Sequence, residues 1–497
     1  MELQFEKREI PCLVKAVNKV QNLELTQEVR LPEDQSEAGR ILGCRGQVLI
    51  RSKEWNRDTL TVSGGIMVWV MYEPGTDGDI QTVETWIPFK QDWDIPSNCP
   101  EGSARVTPRL RYADARQTGA GKLLIRAGIG ILAECLSERR TSVFSPRETS
   151  ADLELLKNHW PLQLMKESGE KVFSVEEELQ LPQTLPGLQR LLTVSMEPVV
   201  TDQKVLGNRI VFRGNCNLSI LYAGEDGRMH SHCFELPFSQ YDDLQNAHSE
   251  NARADICMAV TRLEAERNEE GNIVLKAGIT GQYLVSDQQL VETLEDAYSL
   301  KRELEITRGE AELPCILDVS REVIFEEITF QKQPGDLVDA MVMADFPRHQ
   351  RRGDTMELEQ TGMAQILYYD SEGHIQSDTQ KWESSCSIPA DASAVLEVLP
   401  GMTQIHFNPG ANDSAQVRVA MQLVTMSGKG IPQVTGLTLG EQKKIAADRP
   451  SLILRRAGEE SLWNIARQSG STVDAIRRAN NLEADPVPGR MLLIPVM

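Results

Sequence analysis

The densest group of metal-capable side chains in this 497-residue sequence is His230-Ser231-His232-Cys233. In an extended segment, residues two apart share a face, so His230 and His232 could offer two imidazoles to one Zn²⁺ ion. A zinc site needs a third and a fourth ligand, and none stands nearby, so the expectation is a solvated hairpin strand. Ser427-Gly428-Lys429-Gly430 lacks the Gly-x-x-x-x-Gly-Lys-Ser/Thr spacing that wraps backbone N–H groups around a phosphate. There is neither a Gly-x-Ser-x-Gly elbow nor a His-Glu-x-x-His pair. Paired acids such as Glu326-Glu327 and Asp242-Asp243 are unspecific in so acidic a chain. Cys12, Cys216 and Cys315 lie in apolar runs and read as core thiols. Trp55, Trp69, Trp86 and Trp93 read as packing within a core or at a seam between repeats. No catalytic set, metal site or cofactor is expected. An enzyme is conceivable only through a pair of carboxylates brought together by folding.

Composition narrows the partners. Formal net charge is −21, and residues 450–497, with six Arg and five acids, carry +1 of it. So negative a surface disfavours nucleic acid and anionic lipid, both of which select Lys/Arg patches. Nine Cys are spread singly with no Cys-x-x-Cys, the pattern of reduced thiols in a cytoplasmic protein. The first residues lack the apolar stretch of a signal peptide, and no apolar run reaches membrane-spanning length.

The elements that must position any site recur. Pro11 and Pro161, Leu31-Pro32 and Leu181-Pro182, Gly64 and Gly214, Tyr72 and Tyr222, and Gly128 and Gly278 all lie 150 apart. Pro88-Phe89 and Pro237-Phe238 lie 149 apart. A weaker third copy shows Leu313-Pro314-Cys315, Gln365-Ile-Leu-Tyr368 and Ile388-Pro389. Ile66, Val68, Val70 and Tyr72 alternate onto one strand face, as do Cys216, Leu218, Ile220 and Tyr222. Gly turns follow at Asp77-Gly78, Asp226-Gly227 and Glu372-Gly373. The fold class expected is mainly β: tandem antiparallel, sandwich-like repeats. The boundaries read are 1–140, 150–290 and a divergent 300–427, with a linker at 428–450 and a separate module at 451–497. Ser137–Glu154 reads as a linker running into a short helix, and Asp287–Glu305, with Leu290, Leu294 and Ala297, as a connecting helix.

The last module reads strand, helix, helix, strand. Leu452–Leu454 is a short apolar run. Ser461 can cap a helix that buries Leu462, Ile465 and Ala466, and Thr472 a second with Val473 and Ile476. Asn480-Asn481 suits the end of that helix, Pro488-Gly489 makes a turn, and Leu492–Ile494 a closing strand.

Ser461-Leu462-Trp463-x-Ile465-Ala466, Thr472-Val473, Asn480-x-Leu482, Pro488-Gly489 and Ile494-Pro495 resemble a LysM domain, the βααβ module known for binding N-acetylglucosamine-containing glycans. The opening Tyr of that family is aliphatic here, and its Gly-Asp-Thr-Leu turn is the longer, acidic Gly458-Glu459-Glu460-Ser461-Leu462. The resemblance implies a ligand between two loops, with site residues Glu459, Glu460, Ser461, Leu462, Trp463, Asn480, Asn481, Leu482 and Pro488. The whole chain, with its Ile/Leu-Leu-Tyr strands, the connector Asp296-Ala297-Tyr298-Ser299 and the final LysM module, resembles the SPOCS-domain spore morphogenesis proteins of the SipL type. That implies a non-enzymatic scaffold of endospore coat assembly in the mother-cell cytoplasm at the forespore surface. There the LysM module would bind a coat ATPase of the stage IV sporulation A type. The alternative is binding of peptidoglycan or a related glycan. Unpaired sheet edges leave self-association open.

Overall fold

Apolar side chains at every second position, punctuated by Gly turns, extend almost the whole chain into antiparallel strands. The computed structural model describes residues 4–32, 39–74, 79–147, 153–330, 336–389, 394–407, 414–427, 430–443, 449–484 and 488–497. The first unit comprises β1 (Phe5–Arg30), β2 (Arg40–Asn56), β3 (Thr59–Glu73), β4 (Gln81–Asp94), β5 (Ser103–Gly119) and β6 (Lys122–Pro146). The second comprises β7 (Leu153–Leu179), β8 (Leu188–Leu206), β9 (Arg209–Gly224), β10 (Met229–Asp243), β11 (Arg253–Arg267) and β12 (Ile273–Ser299). After β13 (Arg302–Ala311), the third comprises β14 (Cys315–Thr329), β15 (Asp336–Ala344), β16 (Arg348–Arg352), β17 (Thr355–Tyr369), β18 (Ile375–Pro389), β19 (Ala394–Phe407) and β20 (Ser414–Ser427). β21 (Ile431–Gln442) precedes the last module: β22 (Leu452–Arg456), α1 (Leu462–Ser469), α2 (Val473–Asn480) and β23 (Met491–Pro495).

Each unit has one plan. Its long first strand pairs with its last, and the last with the one before it: β1-β6-β5, β7-β12-β11 and β14-β20-β19. The intervening strands form a second sheet: β2-β3-β4, β8-β9-β10, and β17 with β15, β16 and β18. A core fills the space between the two sheets of a unit: Ile66, Val68 and Trp93 with Ile125 and Ile129 in the first. Phe212, Leu218 and Ile220 meet Leu275 and Ile279 in the second. Leu358, Ile366 and Trp382 meet Val417 and Val419 in the third. The divergent third copy thus has the architecture of the other two. Cys315 and Ile316 pair with Leu164 and Gln163, fusing two of the long sheets.

The units also contact one another in a closed ring. Arg190 of the second donates to the Gln81 side chain (2.8 Å) and the Ile80 carbonyl of the first. Its counterpart Arg40 donates in the same way to Gln376 (2.9 Å) and the Ile375 carbonyl of the third. The third unit returns to the second with the polarity reversed: Asp336 stands where the arginines stand and takes a hydrogen bond from Arg228 at 3.0 Å. Inside the ring, Leu42, Met71, Leu192, Leu221, Met229 and Leu367 form one buried cluster. Burial of a side chain of that size stabilises by about 1.5–3 kcal/mol. The tryptophans act as read: Trp55 and Trp93 belong to the first core, while Trp69 and Trp86 pack on the second across the seam.

Three connectors differ from expectation. Asp287–Glu305 is not helical: β12 runs through to Ser299 and β13 begins at Arg302. A bulge between Leu294 and Asp296 puts Leu294 and Ala297 on one buried face, imitating a helical spacing within a strand. Ser137–Pro146 continues β6, because Phe5–Val14 of β1 supply a partner strand. Residues 148–152 lie outside the described residues, and no helix follows them. The stretch read as a 428–450 linker contains β21, which pairs with β13. Ile431, Val434, Leu437 and Leu439 are buried there around a bulge, so an irregular apolar spacing hid a strand among Gly and Lys. Residues 428, 429 and 444–448 lie outside the described set. The Gly turns stand at Gly227 (φ 74°) and Gly373 (φ 82°), the left-handed backbone that favours glycine. Asp77-Gly78 lies outside the described residues.

Candidate functional site

The last module is built as its sequence predicts. Ser461 and Thr472 cap the two helices, their side chains accepting from the N–H groups of Asn464 and Ala475. Gly470 (φ 63°) and Asn481 (φ 50°) end them in left-handed conformation. Leu462, Ile465, Ala466, Ile476, Leu492 and Ile494 are buried between the helices and the β22–β23 ribbon. The two loops named as the ligand site do meet: Ala457 N–H donates to Arg490 O and Gly489 N–H to Ala457 O, both at 2.8 Å.

The nominated residues divide into two groups. Glu459, Ser461, Asn481 and Pro488 are exposed, and Glu460, half-buried, pairs with Arg455. Leu462 is core and Leu482 packs half-buried against it. Asn480 is a structural tie: its amide donates to Ile476 O (2.8 Å) and Leu493 O (2.6 Å) and accepts from Leu493 N–H (2.7 Å). Asn480→Ala removes three bonds, two of which join α2 to β23. We expect a loss of about 2–3 kcal/mol in the module, at about 1 kcal/mol per bond. Hydrogen exchange at Leu493 in the variant reads this directly, and unchanged protection there contradicts it.

Trp463 is 8% exposed, and what covers it lies far away in the sequence. Its indole N–H donates to Asp296 Oδ2 at 2.9 Å, and the same oxygen accepts from Arg467 at 2.8 Å. Arg308 reaches Asp296 Oδ1 at 2.6 Å. The Tyr298 ring meets Trp463 edge-on, centroids 4.7 Å apart, and its hydroxyl donates to Ser471 O at 2.8 Å. Burial, and then the charge of Glu154, hold the Tyr298 phenol well above its ordinary pKa, so it remains a donor. The Glu154 carboxyl is itself raised, by burial and then by Asp474 of α2. Between module and β body runs a crevice of about 360 Å³, lined by Asp296, Arg308, Gln433, Ser461 and Trp463 among others. Asp296-Ala-Tyr298-Ser299, read as part of a connecting helix, is therefore the dock for the module. Its signal was Asp296, Tyr298 and Ser299 on an otherwise apolar strand; nothing local named its partner.

The other chemical candidates are structural. His230 bonds Asp226 at 2.9 Å, and His232 packs edge-on against Phe234, where burial lowers its pKa. Cys233 points to the opposite, exposed face. Among the described residues no group of three His, Cys, Asp or Glu side chains is placed to hold a metal ion. Asp242 accepts from the Tyr283 hydroxyl and Asp243 pairs with Arg209. Cys12, Cys216 and Cys315 are buried and free, and burial pushes the Cys216 thiol up to about 11. No described helix is long and apolar enough to cross a membrane.

Comparison with known families agrees with this geometry. The family described as SipL, SPOCS domain matches residues 37–118 and again residues 188–267, which hold β2–β5 and β8–β11. The LysM domain family matches residues 457–495. No curated protein and no solved structure matches the chain. Both matched domains are binding-type, non-catalytic modules. The chain is therefore similar to sporulation proteins of the SipL type, with tandem SPOCS-type β units followed by a LysM domain.

Proposed function

We propose that this protein is a non-enzymatic scaffold of endospore coat assembly whose LysM module binds a coat morphogenetic ATPase of the stage IV sporulation A type. It works in the mother-cell cytoplasm at the forespore surface. The observation that carries this reading over glycan binding is the position of Trp463. It is the one aromatic residue of 450–497 and it is turned into the β body, against Tyr298 and Asp296. Sugar sites stack rings on exposed aromatic faces, and the two loops of this module offer none; they offer Glu459, Glu460, Ser461, Asn481 and Pro488, suited to a polypeptide with basic and apolar groups. Leu462, Trp463, Asn480 and Leu482 hold those loops in place and contribute to binding through the fold.

The glycan reading retains the support of the LysM match itself, so the test runs both ligands. Calorimetry on the full chain against a purified ATPase of that type should give binding that Glu459→Lys weakens at least tenfold with an unchanged melting temperature. Chito-oligosaccharide should give no heat. Heat with the sugar and none with the ATPase would reverse the assignment.

A further inference from the structure

The three units share a second feature, lined by no residue of the LysM module. Where the three units converge lies a cavity of about 840 Å³, walled by β2, β5 and β6 of the first unit, β8 and β11 of the second, and β14, β15, β19 and β20 of the third. A neighbouring cavity of about 500 Å³ shares Gln203, Asp255, Arg321, Leu399 and Gln422 with it. The larger volume falls in the range of pockets that hold a whole small ligand.

The walls are unusual for this chain. Six Lys/Arg and five Asp/Glu side chains line the two cavities, whereas the chain holds 52 Lys/Arg against 73 Asp/Glu. The acids are mostly consumed. Glu134 is paired with Lys15 at 2.7 Å and Arg105 at 3.4 Å, and Glu397 with Lys15 at 2.5 Å. Asp255 takes Arg105 at 2.6 Å and Gln422 at 3.4 Å. The bases are consumed only in part: Lys15 and Arg105 share these ion pairs, while Arg109 and Arg321 have none among the described residues. Arg105 is only 3% exposed, yet its Nη1 has no hydrogen-bond partner. Arg109 spends one Nη2 bond on Gly401 O and lies 5.8 Å from the Phe346 ring centroid; its other N–H groups have no partner among the described residues. Arg321, on β14, adds a third guanidinium with no ion pair among the described residues. Removal from water pushes Arg109 down to about 10 and raises the carboxyl of Glu197, and the charge of each opposes the other's shift in part. A buried donor without an acceptor is costly, and a guanidinium is matched best by paired anionic oxygens.

We propose that this central cavity is a binding site for a small organic anion carrying at least two carboxylate or phosphate groups, held by Arg105, Arg109 and Arg321. Because those arginines come from the first and third units and the facing wall from the second, such a ligand would tie the three units together. The site is independent of what the LysM module binds.

The experiment is calorimetric titration of the full chain with citrate and, separately, with pyrophosphate, repeated on Arg109→Gln and Arg321→Gln. Arg321 is exposed, so its substitution leaves the fold intact even if the Arg109 variant is destabilised. Binding of citrate that falls at least tenfold in both variants assigns the site to carboxylates; the same behaviour with pyrophosphate assigns it to phosphates. No binding of either anion, or binding that survives both substitutions, overturns the proposal.

Discussion

Gly214→Ala should cost the second unit about 3–5 kcal/mol and collapse its cooperative unfolding transition, the largest effect we expect from adding one methyl group. A Cβ at Gly214 would fall far inside contact distance of the Val199 carbonyl on the neighbouring strand, and would also meet the Phe238 ring. A flexible side chain could yield, but a carbonyl of the β8–β9 ladder cannot move without breaking the pairing of Val199 and Val200 with Asn215 and Gly214. Gly64 is its counterpart: there the obstacle is the Leu49 carbonyl, with Phe89 taking the place of Phe238. Gly64→Ala should behave alike in the first unit. Gly227→Ala is the control. That glycine has left-handed backbone and open space around it, so the cost there is conformational, about 1 kcal/mol. Urea denaturation midpoints of the three variants measure the difference. Equal shifts for Gly214→Ala and Gly227→Ala would show that the strands do not approach so closely.

The second large effect is at Asp296. Its carboxylate collects Trp463, Arg467 and Arg308, and the residue is 8% exposed. Asp296→Ala leaves an indole N–H and two guanidinium groups short of their acceptor. Removing one member of a buried charged set costs about 3–5 kcal/mol. The LysM module should come away from the β body while keeping its own fold, whose core is independent of Asp296. Limited proteolysis should then release a fragment beginning near residue 449, and Trp463 fluorescence should shift to the red. Tyr298→Phe, which removes only the bond to Ser471 O, should do the same more weakly, by about 1 kcal/mol. A module that stays protected in Asp296→Ala would mean that the apolar contacts of Leu156 and Leu300 suffice to hold it.

Much of this architecture is legible in the chain. The alternation through Ile66–Tyr72 and Cys216–Tyr222, and the 150-residue diagonal, lead directly to paired sheets, because strand periodicity is local and repeats restate it. The caps of the LysM module were equally readable, since Ser461, Thr472 and Asn481 act on backbone groups within four residues. What was hidden depended on distance or on bulges. Leu294 and Ala297 are three apart and face one way only because Glu295 is extruded from the β12 ladder. β21 becomes a strand through β13, more than a hundred residues earlier. Trp463, a ligand-site residue by the LysM resemblance, is claimed by an aspartate 167 positions away, and no pattern in either segment announces the other. Arg40 and Arg190 also stand 150 apart, a match whose meaning emerges only when both are seen to reach across to a neighbouring unit.

That crossing has a consequence for how the chain assembles itself. A head-to-tail contact repeated between identical copies generates either a closed circle or an endless filament. Here three copies use the contact within one molecule, so all three joints are intramolecular. The exchange of charge at Asp336 and Arg228 makes the third joint unlike the other two. Were the third copy to bring an arginine to that joint, it would face Arg228; were Asp336 brought to the first copy's hairpin, it would face the Ile80 carbonyl. The order of the copies around the circle is thus written in the sign of a single residue, as a keyed plug fits its socket in one orientation.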